Sequence, residues 1–258
     1  MPGMLRRRRK TPKPPGAEPP RPGTQRSRRR ARPDARVPPE LIVAPQVVLV
    51  TGFEPFGGEA RNPSWEVCER LAASIAGLRV EILRVPCEFR GSIEGVVEAI
   101  ERLRPALVVC LGLAPGRTHM GVERVAINVD DARIADNAGA QPIDERIAAH
   151  GPSAYFATLP VKAMVAAMRA AGVPAEVSNS AGTYVCNHLM YGVLHFLAAG
   201  GGGARAGFIH VPHADEHVAD RPGTPSMALA TMAKGVEAAI AAAQAQARDI
   251  PLAAGRLD

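Results

Sequence analysis

From residue 46 to residue 246 the chain alternates short β-branched runs with stretches of helical period, and that alternation leaves few architectures open. Residues 46–51 (QVVLVT) form a continuous run rich in β-branched residues and of strand length, the pattern of a strand covered on both faces. Residues 62–76 read as a helix, with Pro63 in its first turn and Gly77 just past its end. A strand is predicted over 79–85. A helix follows over 92–103, where Ile93, Val96, Val97, Ile100 and Leu103 make one apolar stripe. Further strands are predicted at 106–111 (ALVVCL), 124–129 (RVAINV), 175–180 and 206–211 (AGFIHV). Further helices are predicted at 161–171, 186–199 and from about 225 to 246, the last with Thr224 as N-cap. Strands alternating with helices predict an α/β fold built on a mostly parallel twisted sheet with both faces covered. Such sheets bind ligands beyond the carboxyl ends of their strands. That rule selects residues 54–58, 113–117, 181–186 and 210–212.

Residues 1–44 are of another kind. The first forty hold ten prolines, thirteen basic and three acidic residues, with Leu5 and Val37 almost their only large aliphatics. Such a segment buries too little apolar surface to offset its ordering entropy, so it is expected to be a disordered tail ahead of a folded domain at 45–258. Its charge would suit nucleic acid or an anionic membrane surface; the plainer alternatives are a solvated extension, or translation that begins further downstream. The remaining chain carries 18 basic against 22 acidic residues, so the body gives no reason to expect nucleic-acid binding. The basic start is followed by TPKPP and not by an apolar stretch, and no run reaches about 18 apolar residues, so neither a signal peptide nor a membrane span is expected.

Cys68, Cys87, Cys110 and Cys186 show no CxxC spacing and no clustering with histidine. Free thiols in a reducing, cytoplasmic setting are therefore expected, and no metal site. Cys110 lies inside an apolar strand and Cys68 on a helix, where a buried inert thiol is the ordinary outcome. Cys186 differs. It opens a helix after a strand and a bend at Ala181–Gly182, so its sulfur faces unpaired N–H groups that should lower the thiol pKa and could receive an oxyanion. His210 ends the next strand. Were the two strands adjacent and parallel, base and nucleophile would stand side by side, and a neutral imidazole could take the thiol proton. His188, His195, His213 and His217 are the other histidines considered; the last two are expected to be solvated. A base also needs an orienting carboxylate, and Glu123, Asp130, Asp131 and Asp136 are equally eligible by position.

Five blocks in order resemble the pyroglutamyl peptidase I (pyrrolidone-carboxylate peptidase) family: TGFEPFGG at 51–58 with NPSWE at 62–66, ERVAIN at 123–128 running into DDARIADNAGAQP, GPSAYFATLP at 151–160, AGTYVCNH at 181–188 and GFIHVP at 207–212. The resemblance implies a three-layer α/β/α sandwich, commonly a homotetramer, with no metal or cofactor. It implies a triad of Cys186, His210 and Glu123, with Arg133 near the oxyanion. It also implies a pocket built from Phe53, Phe56, Asn62, Tyr184 and Val185, and peptide substrates bearing an N-terminal pyroglutamyl residue. Two positions depart from the family pattern: Leu113 stands where bacterial members usually carry a polar residue, and His213 where an aromatic or aliphatic one is usual. Residues 1–44 have no counterpart in it.

Overall fold

The computed structural model describes residues 46–255; the expectations for residues 1–44 lie outside them. In chain order the elements are β1 (Val47–Phe53), α1 (Pro63–Cys68), β2 (Ser74–Ile75), β3 (Leu78–Val85), α2 (Gly91–Leu103), β4 (Leu107–Leu113), β5 (Met120–Glu123), β6 (Val125–Ile127), β7 (Ala154–Phe156), α3 (Val161–Ala170), β8 (Ala175–Ser178), α4 (Val185–Ala198), β9 (Arg205–Val211), β10 (His213–Ala214), β11 (Ser226–Met227) and α5 (Leu229–Ala245). Seven strands make the central sheet in the order β2-β3-β1-β4-β9-β5-β8. The pairs β1–β3, β1–β4, β4–β9 and β5–β8 are parallel, while β5 runs antiparallel to β9 and β2 to β3.

The side-chain period of two divides each strand between two cores. Val48 and Val50 of β1, Leu107, Val109 and Leu111 of β4, and Ile209 and Val211 of β9 join a cluster with α1, α3 and α5. Leu49 and Phe53, Val108 and Cys110, and Ala206 and Phe208 point the other way, into a cluster with α2 and α4. Helices on both faces of one sheet give the three layers, and every residue of β1 and β4 is buried, as the continuous runs predict. Gly52 lets α1 lie against β1, since a Cβ there would stand 2.6 Å from the Ser64 carbonyl oxygen.

Several expected elements come out differently. The helix expected over 62–76 stops at Cys68, and the chain turns through Ala76 (φ 49°) and Gly77 (φ 81°) so that Ile75 pairs with Leu78. Two successive positive-φ residues favour that tight hairpin, and burying Ile75 and Leu78 outweighs continued helix. The last helix starts at Leu229 and not near 225, because Ser226–Met227 pairs with His213–Ala214; Ala228, not Thr224, is its N-cap. The strand expected at 124–129 is the shorter β6, paired with β7 in a hairpin outside the main sheet, while an unexpected strand, β5, precedes Arg124 inside it. The strands bearing Ser178 and His210 are not neighbours either, for β5 lies between them.

Candidate active site

β9 presents His210 on the same face as Ala206 and Phe208, towards α2 and α4. Its register partner on β4 is Gly112, and on β5 it is Gly121. The histidine therefore has a glycine on either side. Glu123 shares the face of Gly121, since Met120 and Val122 belong to the opposite core. His210 Nδ1 donates to Glu123 Oε1 at 2.7 Å, and the carboxylate is 0% exposed. An ionised carboxylate only accepts, so the Nδ1 proton is fixed and Nε2 is left with its lone pair. No hydrogen bond reaches Nε2 among the described residues. Phe208 packs against the imidazole with ring centroids 4.8 Å apart.

Cys186 enters from α4, at the second helical position. The bend before it uses Gly182 at φ 81°, and Tyr184 caps the helix without a side-chain hydrogen bond. The first backbone bond is His188 N–H to Tyr184 O, so the N–H groups of Val185, Cys186 and Asn187 have no intrahelical acceptor. The sulfur lies over Gly112, where an added Cβ would be 2.8 Å from Sγ and 2.7 Å from Phe208 Cζ. The sulfur thus lies over the glycine in register with His210, and the strands bearing Ser178 and His210 are not adjacent.

The helix N-terminus does not produce a low resting thiol pKa here. Burial pushes the Cys186 thiol well above its ordinary value; Cys87, Glu123 and Cys110 add to the rise and Arg117 opposes it. That direction disfavours a resting thiolate at this position. The other three cysteines are free and buried, and burial raises their pKa values too, to about 12 for Cys87 and Cys110.

The rival groups are occupied elsewhere. His188 Nδ1 bonds Asp130 Oδ2 at 2.7 Å, and its Nε2 accepts the Arg90 N–H at 3.1 Å, so neither nitrogen is free to act as a base. That bond holds Arg90 at φ 62°, where α2 begins. His195 bonds the Tyr155 hydroxyl at 2.9 Å. His213 is buried and His217 bonds Glu66, so neither is the solvated side chain expected. Asp136 braces a loop by accepting the Phe89, Ala138 and Ala140 N–H groups, and Asp131 is exposed.

The residues expected to line a pocket divide. Phe56 faces Tyr184 at 6.1 Å, and Phe89 meets Tyr184 edge-on at 5.5 Å. The Tyr184 hydroxyl donates to Ala135 O, tying the loop over 131–142 to the helix cap. Phe53 is buried beneath, packed on Phe208 at 6.5 Å, and Val185 is fully buried in the same core. Asn62 is 3% exposed and serves as the N-cap of α1, its Oδ1 accepting from the Ser64 N–H and hydroxyl and its Nδ2 donating to Glu54 O. These bonds position the 54–58 loop. Arg133 is exposed and makes no hydrogen bond or ion pair among the described residues, so the resting site does not fix it at an oxyanion. Arg117 lies in the 113–117 segment, to which the motifs assign no role. Its Nη1 lies 3.2 Å from Glu123 Oε1. The signal available was its place just past the carboxyl end of β4.

No cluster of three or more metal-ligating side chains occurs among the described residues, and no described helix is long and apolar enough to cross a membrane. A profile of the pyroglutamyl peptidase family matches residues 46–246. The pyrrolidone-carboxylate peptidase of Cupriavidus taiwanensis is 56% identical over 212 residues, covering 81% of this chain and 98% of that protein. Among solved structures, pyroglutamyl peptidase I of Bacillus amyloliquefaciens superposes with a TM-score of 0.76 at 42% identity, covering 80% of this chain and all of the other. The pyrrolidone carboxyl peptidase of Thermococcus litoralis gives 0.75 at 40% identity, again over 80% of this chain and all of the other.

Proposed function

This chain belongs to the pyroglutamyl peptidase family, and from that premise we propose that Cys186, His210 and Glu123 are the machinery of a thiol hydrolase that removes an N-terminal pyroglutamyl residue from peptides. One observation carries the assignment of roles: a buried carboxylate fixes His210 through Nδ1 while the Cys186 sulfur lies over the glycine in register with that histidine.

His210 Nε2 takes the thiol proton as the sulfur attacks the pyroglutamyl carbonyl carbon, forming the C–S bond. The oxygen becomes an oxyanion, received by the free N–H groups that open α4. Collapse breaks the C–N bond, and the imidazolium gives its proton to the departing amine. Water, deprotonated by His210, then attacks the thioester carbonyl; the C–S bond breaks and the sulfur recovers its proton. Glu123 holds the imidazole orientation and balances its charge while it is protonated. Arg133 closes on the carbonyl oxygen when substrate is bound. Its loop is tied to the segment before Cys186, with the Asp131 N–H donating to Thr183 O and the Thr183 hydroxyl to Asp131 O.

The lactam of a pyroglutamyl residue carries no charge, which suits a slot walled by Phe56 and Tyr184 over buried Phe53 and Val185. A free glutamyl terminus would bring an ammonium and a carboxylate into that slot, at a cost of several kcal/mol. Four free cysteines suit a reducing compartment, so we place the enzyme in the cytoplasm, as a homo-oligomer. Residues 1–44 are taken as a tail outside the catalytic domain of 45–258. The test is side-by-side hydrolysis of pyroglutamyl, prolyl and glutamyl anilides. The pyroglutamyl substrate should lead by at least about a hundredfold in kcat/KM, a discrimination of roughly 3 kcal/mol. Equal or faster turnover of the prolyl compound would move the substrate assignment to a related amide, with Leu113 as the first position to change.

A further inference from the structure

Gly112, His210 and Gly121 form one in-register row across β4, β9 and β5. The space over Gly112 holds the Cys186 sulfur. The space over Gly121 holds a guanidinium, for a Cβ at 121 would collide with Nη1 of Arg117. Arg117 lies in the loop after β4, which turns at Gly116 (φ 82°) and brings the side chain back over β5. Nη1 donates to Glu123 Oε1, the oxygen that also receives His210 Nδ1. Nη2 reaches Ser178 Oγ at 3.5 Å on β8, where Ser178 is the register partner of Glu123. Glu123 Oε2 is buried and has no hydrogen-bond partner among the described residues. All that holds this carboxylate therefore converges on one oxygen, and Arg117 is the donor that stays charged when His210 is neutral.

We propose that Arg117 is a fourth, positioning member of the site: its guanidinium clamps the Glu123 carboxylate against His210 and keeps a permanent positive charge beside the Cys186–His210 pair. The proposal deepens the reading of Cys186 as nucleophile and His210 as base, and rests on it. Charge-assisted bonds to a shared oxygen fix the carboxylate plane, and through it the imidazole. The guanidinium also limits how far Glu123 stabilises the imidazolium, which has to give its proton to the leaving amine. Of the groups facing Cys186, Cys87, Cys110 and Glu123 disfavour the thiolate, Tyr184 stands at the helix cap, His210 takes the proton, and Arg117 favours the sulfur anion.

Arg117→Met and Arg117→Lys, checked for folding by thermal melts, separate this from a packing role. One assay is the pH profile of Cys186 alkylation by iodoacetamide, which needs no substrate; the other is kcat and KM on a pyroglutamyl anilide. Arg117→Met should lower kcat about tenfold to a hundredfold with KM within about twofold. It should also move the alkylation profile up by about one pH unit, roughly tenfold slower reaction on its acid side. Arg117→Lys, with the charge but not the planar fork, should recover most of the profile and only part of kcat. If Arg117→Met does not fold, Gly121→Ala, which displaces the guanidinium but keeps the arginine, should shift the profile in the same direction. An unshifted profile in the folded variant overturns the proposal, whether or not kcat falls. Failure of the wild-type chain to hydrolyse the anilide, with the profile still shifted by the mutation, would sink the substrate assignment and leave Arg117 in place.

Discussion

Cys186 reaches the His210 row only because residue 112 has no Cβ, and that contact can be tested at a single atom. Gly112→Ala adds one methyl 2.8 Å from Sγ and 2.7 Å from Phe208 Cζ, too close for both to stay. A displacement of about 1 Å at the reacting atom costs on the order of a hundredfold in rate. Steady-state kinetics on Gly112→Ala should therefore show kcat down by about that factor while the chain still melts cooperatively; unchanged kcat would mean the sulfur attacks from elsewhere. Cys186→Ser should keep the fold and lose at least about a thousandfold, because a hydroxyl is a far weaker nucleophile than sulfur. Glu123→Gln should slow turnover less than loss of Cys186 or His210, since the imidazole and thiol remain. A loss equal to theirs would give Glu123 a further role.

The elements explain why some of this was readable in sequence and some was not. Strands β1 and β4 are nearly continuous apolar runs, β9 is a short run rich in apolar residues, and the helices at 91–103, 161–170 and 185–198 are long and apolar on their packed faces, so all of these fall within a few residues of expectation. β5 escaped notice because MGVE is short, contains glycine and has no alternation of its own; the sheet makes it a strand by pairing it on both sides. The same pairing chooses Glu123 among four eligible carboxylates, which local sequence could not do. α1 is shorter than expected because helix propensity continues past Cys68, while the Ile75–Leu78 pairing, seven residues on, claims the chain instead. The His188–Asp130 pair belongs to this scale as well. It ties α4 to the start of α2 through the Arg90 N–H and keeps Phe89 edge-on to the His188 ring at 5.3 Å. His188→Leu would leave a buried carboxylate without its donor, at a cost of about 3–5 kcal/mol. Chemical denaturation should show that loss. A variant as stable as wild type would mean that Asp130 finds another partner.

Across the whole molecule, the sequence pattern identified the α/β architecture with its mostly parallel sheet, but not the strand order. That order depends on a β5 that runs against its neighbour. The buried titratable groups set how stability follows pH. Cys68, Cys87, Cys110 and Cys186 all have folded pKa values raised by burial, so the folded chain keeps protons that the unfolded chain loses above about pH 8.5. Stability is then full below that pH and falls as pH rises towards about 12, by on the order of 1–2 kcal/mol per buried thiol at pH 10. His213 has the opposite consequence. Burial and Arg221 lower its pKa, against Glu59, so the unfolded chain takes up the extra proton first and stability is lost as pH falls below about 6.5. Melting temperatures should peak between about pH 7 and 8, with the alkaline fall reduced in a Cys68→Ala, Cys110→Ala variant; an identical alkaline fall in that variant would remove the thiols as its cause. The central claim is that Cys186 is the nucleophile, served by His210 and Glu123 from distant parts of the sequence, and the most direct test titrates the full chain with iodoacetamide. Hydrolysis of a pyroglutamyl anilide should be lost in proportion to alkylation of Cys186, mapped by peptide mass, with Cys68, Cys87 and Cys110 unmodified. Full activity in a chain whose Cys186 is completely alkylated would contradict the account.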